Sequence, residues 1–538
     1  MPAAFDNPFE IVRKLTDVGA ALSAEKDNDR LMELILESAR DFTNADGGTL
    51  YLRSEDDALD FEIMLTSSLG IRLGGSSGER IELPPIPLYR SDGVPNDEMV
   101  AARAATAVET VNIPDAYTAD NFDFSGTRKF DERMGYRSRS FLTVPMRNHD
   151  DEVIGVLQLI NAIDHDSGEV IPFDDNDQQL VESLASQAAI ALTNKRLIEQ
   201  QRRLFEAFIE LLAAAIDDKS PYTGGHCRRV PELTLMLADA AAATSDGPLA
   251  EFTMSEADRY ELQIAAWLHD CGKVTTPEYV VDKSTKLETI YDRINEVDLR
   301  FELVKSQAEI SALKSQLSAL GAEPEVEAFE RLTADLDEER DFLRKANIGG
   351  EFMSPQDQDR VREIGARILD RPPGPQPLLS EEEIHNLTIA RGTLTEEERA
   401  VINHHITATI KMLESLPYPP HLMRVPEFAG GHHERMDGKG YPRGLTRDQM
   451  SVQARVMGIA DIFEALTAGD RPYKKAMSLS TALTILGRMK EDNHIDPDLF
   501  DVFVRERVFM RYAEQFLGPE QIDDVDMAAI PGFESPGS

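Results

Sequence analysis

Eight of the eleven histidines of this 538-residue chain lie between His226 and His433, several beside an aspartate or a second histidine. Imidazole and carboxylate are the side chains that hold divalent cations, so metal ligation is the chemistry this concentration offers. His269-Asp270 closes the apolar stretch Ile264-Ala265-Ala266-Trp267-Leu268 and precedes Cys271-Gly272-Lys273. Neighbouring helix positions are only about 100° apart, so both side chains at a helix end can reach one ion. Alone, a His-Asp pair is a weak signal. The run Gly430-Gly431-His432-His433-Glu434-Arg435-Met436-Asp437-Gly438-Lys439-Gly440-Tyr441-Pro442 is stronger, two imidazoles held by a glycine-rich turn. A capping box, Thr395 with Glu398, opens a helix over 395–416 that carries His404 and His405. The helical period sets His405 with Val401, Ile402, Thr409, Met412 and Leu413 on the buried face, and His404 with Ala400, Ala408 and Lys411 nearer the rim. His405 is the better ligand, and His404 a surface or supporting residue. Asp461, between Ile459-Ala460 and Ile462-Phe463, is a carboxylate in apolar surroundings. Buried, it must pair, with Arg455 for example, or bind metal, and the histidines favour metal.

The elements that must position these residues are legible in outline. From residue 220 onward the period is almost entirely helical, apart from the loop 430–444. Residues 287–320 and 325–343 predict two charged, solvated helices turning near 321–324. Arg371-Pro372-Pro373-Gly374-Pro375-Gln376-Pro377 is a breaker, and the acidic stretch from Gly518 is expected to fray. The first half reads as mixed α/β, with helical periods through 11–22 and 31–35 and a turn signal at Asp46-Gly47-Gly48. Strand-like runs follow at 49–52, 61–66, 140–145 and 153–161, with a loop rich in Gly, Ser and Pro over 74–95. This order predicts an antiparallel sheet with helices on one face. Between the halves, 174–219 contains no Gly or Pro and repeats Ile190, Leu197, Leu204 and Leu211 every seven residues. That repeat suits a parallel seam between two copies, or a helix packed on its own chain.

Composition narrows the partners. Asp and Glu total 97 against 56 Lys and Arg, a net charge of −41, which argues against a nucleic-acid polymer or an anionic membrane. No apolar run approaches the roughly 18 to 20 residues of a membrane-spanning helix, and the N-terminus lacks a signal-peptide layout. Two cysteines, Cys227 and Cys271, exclude a disulfide scaffold and fit a reducing, cytoplasmic location. Residues 432–475 depart from the general acidity, with 8 basic residues against 6 acidic ones.

Over roughly 217–490 the chain resembles the HD-GYP family of metal-dependent phosphodiesterases. The resemblance rests on Tyr222-Thr223-Gly224-Gly225-His226, His269-Asp270-Cys271-Gly272-Lys273, His405, His432-His433 with Gly440-Tyr441-Pro442, and Asp461 followed by Arg471-Pro472-Tyr473-Lys474. It implies an all-α bundle that hydrolyses cyclic di-GMP to linear pGpG, GMP or both, by attack of a hydroxide bridging two metals. The implied ligands are His226, His269, Asp270, His405, His432, His433 and Asp461, with Asp270 bridging. Fe or Mn suit that set, with Zn, Ni or Mg as other divalent candidates. Lys273, Arg471 and Lys474 would hold phosphate oxygens, and Gly440, Tyr441 and Pro442 would shape the substrate loop. Some members bind a third metal through a Glu upstream of the first His; Tyr222 stands in that region here, so two metals are expected. One extra residue separates Leu466 from Arg471, and about 130 residues separate Asp270 from His405, more than in simple members. The alternative reading is a catalytically silent dinucleotide receptor that signals through partner proteins.

The first half resembles a GAF sensor domain over about 8–195. The carrying residues are Ala45-Asp46-Gly47-Gly48-Thr49-Leu50, Val111-Asn112-Ile113-Pro114-Asp115, Tyr136-Arg137-Ser138-Arg139-Ser140 and Ile154-Gly155-Val156-Leu157-Gln158-Leu159-Ile160-Asn161. Lys129-Phe130-Asp131-Glu132 matches most of a motif of cyclic-nucleotide-binding GAF domains, with Arg128 in place of its leading Asn. A cyclic nucleotide, another small ligand and a purely structural dimerisation role all remain open. The implied organisation is an α/β (α+β) GAF domain over 1–175, a connecting helix over 176–219 that forms a homodimer, an all-α HD-GYP domain over 220–517 with a helical insertion at about 284–394, and an acidic flexible tail over 518–538.

Overall fold

The computed structural model describes residues 8–219, 225–318, 326–350, 352–372, 374–469 and 476–533. The chain divides into two compact units, Met1–Phe205 and Glu206–Ser538. Among the described residues, no helix is long and apolar enough to cross a membrane.

The first unit is built on an antiparallel sheet. Its strands are β1 (Ala45–Arg53), β2 (Ala58–Thr66), β3 (Ile71–Gly74), β4 (Ile86–Pro87), β5 (Val111–Ile113), β6 (Phe141–Arg147), β7 (Val153–Ile163) and β8 (Val170–Ile171). The main order is β3-β2-β1-β7-β6-β5, with β4 beside β2 and β8 beside β7. Register pairs Leu50 with Ile63 on one side and with Leu157 on the other, so these apolar residues share a face. The helix Asn28–Thr43 covers that face with Leu31, Ile35, Leu36 and Ala39, joined by Val181, Leu184, Ala185 and Ala188 of the helix Asp175–Lys219. Asp27 caps the first of these helices by accepting the Arg30 N–H, and Asn44 ends it in the left-handed region. The opposite face presents Tyr51 and Val156 to Ala101, Ala102 and Ala105 of the helix Val100–Ala107. Helices thus lie on both faces, which corrects the one-sided sheet expected from sequence. The alanine-rich helix Val100–Ala107 has no side-chain cap to announce it.

The second unit is mostly helical. The helices His226–Ala242, Glu256–Leu268 and Val452–Thr467 meet through Val230, Leu233, Leu237, Leu262, Ala265, Val456, Ile459 and Phe463, all fully buried. Each such Val, Leu, Ile or Phe side chain contributes about 1.5 to 3 kcal/mol on burial. Glu396–Glu414, Val425–Gly430, Leu479–Glu491, Pro497–Arg505 and Val508–Phe516 complete the bundle.

Expectations for the inserted helices, the proline-rich stretch and the tail need correcting here. The helices Ile294–Ser318 and Val326–Ile348 are not merely solvated: Leu287, Val297, Phe301, Leu336, Leu343, Leu379 and Leu387 form a separate core between them and their neighbours. The turn expected near 321–324 lies outside the described residues. The proline-rich breaker instead forms a two-stranded ladder, Ile368–Arg371 with Gly374–Pro377. The last correction concerns the tail. Ile530 is buried, Met527 and Phe533 pack against the bundle core, and Gln521 donates to the carbonyls of Thr467 and Met477. Residues 518–533 are therefore part of the bundle and not a frayed end.

Candidate metal centre

Five segments bring the seven candidate ligands together in two groups: His226, His269, Asp270 and Asp461, and His405, His432 and His433. Within each group the donor atoms all lie within 4.8 Å of one another. Asp270 joins the groups. Its Oδ2 is 3.3 Å from Nε2 of both His226 and His269, while its Oδ1 is 3.2 Å from Nε2 of His405. Asp461 Oδ1 lies 3.3 Å from His226 and 3.7 Å from His269. Two donors each about 2.1 Å from one cation stand roughly 3 to 3.5 Å apart, so these separations are those of a coordination shell.

Local structure explains which ring nitrogen faces inward. His269, His405 and His432 each donate Nδ1–H to the carbonyl three residues back, those of Ala266, Ile402 and Ala429. A carbonyl only accepts, so Nδ1 carries the proton and Nε2 turns its lone pair to the centre. His226 opens its helix and points Nδ1 at the Glu464 carboxylate, 2.5 Å away. The four Nε2 atoms and Asp270 Oδ1 are buried without a hydrogen-bond partner among the described residues. Orphaned ligand atoms of this kind are rare in native cores, and a cation in each of the two groups would satisfy them. The donor set therefore fits a divalent metal centre.

Electrostatics divides the centre. Burial opposes charge on His226 and His269, but the carboxylates of Asp270 and Asp461 overcome it. They hold His226 well above its ordinary pKa, with help from Glu464, and His269 at about 9. Burial likewise opposes the charge of Asp270, and the Lys273 ammonium, 2.6 Å from Oδ2, with His269 keeps its pKa well below the carboxylate range. On the other side burial dominates, pushing His432 far down and His433 to about 4. One half is thus a field that attracts positive charge, and the other a pair of neutral imidazoles ready to ligate.

Glycine is required at two close approaches. A Cβ on Gly272 would stand 2.0 Å from the His405 carbonyl oxygen, so only glycine lets the Asp270 turn sit on the His405 helix. A Cβ on Gly440 would stand 2.3 Å from the Arg435 nitrogen. That turn places the Tyr441 ring parallel to His433, with centroids 4.8 Å apart. Pro442 follows on the exposed side of the same loop. His404 is exposed and His405 buried. Arg455 pairs with Asp496 and leaves Asp461 to the histidines. Arg471 and Lys474, like Tyr222, lie outside the described residues.

Three acceptors not singled out in the sequence hold the ligands in place. Glu464 supports His226 and takes the Arg229 guanidinium at 2.7 Å on its other oxygen. Glu434 accepts the backbone N–H groups of Arg443 and Leu445, which fixes the loop carrying Tyr441. Thr409 accepts the Gly272 N–H. Spacing could have flagged Glu464, one helical turn after Asp461; nothing in the sequence flags Thr409. Cys227 and Cys271 are buried free thiols, and burial pushes the Cys271 thiol up to about 11, so it is an unreactive packing residue.

The first unit holds a cavity of about 790 Å³ on the sheet face opposite the helix Asn28–Thr43. Thr49, Tyr51, Phe61, Asn96, Phe130 and Gln158 are among its walls. Of the four motif residues, Lys129 and Phe130 line it. Asp131 is turned away, accepting the Tyr117 hydroxyl and both donors of Ser138, and Glu132 is exposed. Arg128, in the place of the motif's Asn, lies over the Tyr117 ring.

Comparison with known proteins follows the same division. A GAF-domain family profile matches residues 27–192, and two HD-domain profiles match 223–339 and 381–499. A 3'3'-cGAMP-specific phosphodiesterase of Vibrio cholerae is 40% identical over 117 residues, covering 21% of this chain and 26% of that protein. A cyclic di-GMP phosphodiesterase of Pseudomonas aeruginosa is 38% identical over 115 residues, with the same 21% and 26% coverage. The chain thus spans about a quarter of the length of these relatives. The crystal structure of the GAF domain from an Acinetobacter phosphoenolpyruvate-protein phosphotransferase is similar over 36% of this chain and 98% of that one, at 14% identity and a TM-score of 0.26. The chain thus carries a region matched by a GAF-domain profile followed by two regions matched by HD-domain profiles, and the paired histidines, the His-Asp turn and the Gly-Tyr-Pro loop meet at one centre within the latter.

Proposed function

We propose that the second unit is a metal-dependent phosphodiesterase that hydrolyses cyclic di-GMP to linear pGpG, GMP or both. The observation that carries this reading is Asp270, one carboxylate whose two oxygens face two imidazole groups ringed by orphaned donors. Two divalent cations, iron or manganese by the character of the donors, would supply Lewis acidity toward a phosphoryl oxygen and lower the pKa of water held there. Asp270 fixes the spacing of the two groups. Lys273, charged through its pairing with Asp270, presents an ammonium to a non-bridging phosphate oxygen. Tyr441 braces His433 from the loop side, and Arg471 and Lys474 are assigned to phosphate by the family pattern. The names of the two relatives support a cyclic dinucleotide and differ on which one.

The first unit regulates this activity by taking a small molecule in its cavity, and the protein acts as a homodimer. The helix Asp175–Lys219 supports the dimer reading, since Ile190, Leu197, Leu204 and Leu211 are 51%, 49%, 66% and 64% exposed at heptad spacing.

The test loads full-length protein anaerobically with Fe²⁺ or Mn²⁺ and incubates it with cyclic di-GMP and, in parallel, 3'3'-cGAMP. The expected result is pGpG or GMP from the first, with Asp270→Ala losing turnover and bound metal together. Tight dinucleotide binding without product would overturn the enzymatic reading in favour of a receptor.

A further inference from the structure

The last turn of the helix Asp175–Lys219 touches both segments that carry the first ligand group. Asp217, only 6% exposed, accepts the N–H groups of Gly225 at 3.1 Å and Cys227 at 3.2 Å. These donors belong to the start of the helix His226–Ala242, whose N-cap, Gly225, has no side chain to satisfy them. The first turn of a helix leaves its N–H groups unpaired and favours a negative charge, and Asp217 supplies both acceptor and charge from a different helix. His226 is the first residue of that turn.

Two residues on, Lys219 Nζ donates to the carbonyls of Lys273 at 3.2 Å, Val274 at 2.5 Å and Thr276 at 2.7 Å. These carbonyls end the short 3-10 turn Cys271–Thr275, which begins directly after Asp270 and contains Lys273. Three acceptors saturate the three donors of an ammonium, so the contact is a complete clamp. One helical turn therefore grips the segment that opens at His226 and the segment that follows Asp270, and the two residues face each other at 3.3 Å in the metal centre.

We infer that Asp217 and Lys219 are positioning residues through which the end of the connecting helix sets the separation of His226 and Asp270, and with it the affinity of the first metal position. A helix rises about 1.5 Å and turns about 100° per residue, so a slide or twist of this end by a fraction of a residue strains both contacts together. The clamp gives the helix a direct route to the ligands. The inference deepens the phosphodiesterase reading and rests on it for its kinetic consequence.

The test uses the full chain and four proteins: wild type, Lys219→Met, Lys219→Arg and Asp217→Asn. Each is titrated with Mn²⁺, assayed for kcat and KM with cyclic di-GMP, and melted to confirm folding. Lys219→Met keeps the aliphatic stem and removes the donors; about 10-fold weaker Mn²⁺ binding is expected, with kcat reduced and KM unchanged. Lys219→Arg restores donors and should recover most of both. Asp217→Asn should weaken Mn²⁺ binding in the same direction. Mn²⁺ affinity within two-fold of wild type in both Lys219→Met and Asp217→Asn overturns the inference, whatever their melting points. A wild type that binds Mn²⁺ but hydrolyses nothing defeats the enzymatic reading alone, and the Mn²⁺ titrations still decide the clamp.

Discussion

Glu464 lies one turn beyond Asp461 on the helix Val452–Thr467, 1% exposed, with one oxygen on His226 and the other on Arg229. It fixes the tautomer of a metal ligand and neutralises a largely buried guanidinium, and two substitutions separate these tasks. Glu464→Gln keeps the shape and one acceptor but gives up the charge, so metal affinity should fall about 10-fold with a smaller loss of stability than full truncation. Glu464→Leu removes the carboxylate that pairs with Arg229 altogether and should lower the unfolding free energy by about 3 kcal/mol as well. Mn²⁺ titration and urea denaturation read the two effects; unchanged affinity in Glu464→Gln would mean packing alone orients His226. Helical period separated buried His405 from exposed His404, although Val401 and Met412, which it set on the same buried face, are exposed. It sets Glu464 one turn beyond Asp461 but does not show it buried, since an acid in an amphipathic helix reads as solvent-facing until a second helix is known to cover it. The resemblance to a known family grouped the seven ligands, but the carboxylates behind them became visible only through burial.

At the scale of elements, the long helix was legible because nothing interrupts it, whereas the ladder at 368–377 was not, because its prolines look like punctuation. Register resolves that case: Pro375 and Pro377 pair with Asp370 and Ile368 in a two-stranded ladder whose outer edge needs no proline donor. Replacing exposed Leu204 and Leu211 with Glu tests the helix seam. Both are at least 64% exposed, so the fold should survive, and light scattering should report a shift from dimer to monomer. An unchanged mass would remove the seam. The tail offers a second test. Asp523 accepts the backbone N–H and the hydroxyl of Ser480, and Lys490 Nζ donates to the Gly532 carbonyl at 2.6 Å. Gln521 holds the Thr467 carbonyl at the end of the helix that carries Asp461. Composition alone makes 518–538 dispensable; these contacts make its removal cost about 2 to 4 kcal/mol, a fall of roughly 5 to 10 °C in melting temperature. A truncation that melts with wild type would return the tail to the solvated segment its sequence suggests.

Across the whole molecule, charge and site oppose one another. The chain carries a net charge of −41, while the substrate proposed for its metal centre is a doubly anionic dinucleotide. The first 200 residues hold 37 acids and 18 basic residues, while the sequence span 432–475, which contains His432, His433 and Asp461, holds 8 basic and 6 acidic ones. The far field of the protein therefore repels the proposed substrate, and the near field, with Lys273 and any bound cations, draws it in. Salt separates the two by range. At an ionic strength of about 0.1 M the screening length is roughly 10 Å, long enough to spare contacts inside the pocket and short enough to erase repulsion from the outer surface. Raising salt from about 10 to 150 mM should therefore increase kcat/KM for cyclic di-GMP by about two-fold or more, carried mainly by KM. A polynucleotide-binding surface would respond in the opposite sense, losing affinity as counterions compete for its basic face. Steady-state kinetics over that salt series decides the matter: a falling kcat/KM would show that positive charge near the pocket already governs the approach, and that the acidity of the chain lies too far from the entrance to be felt.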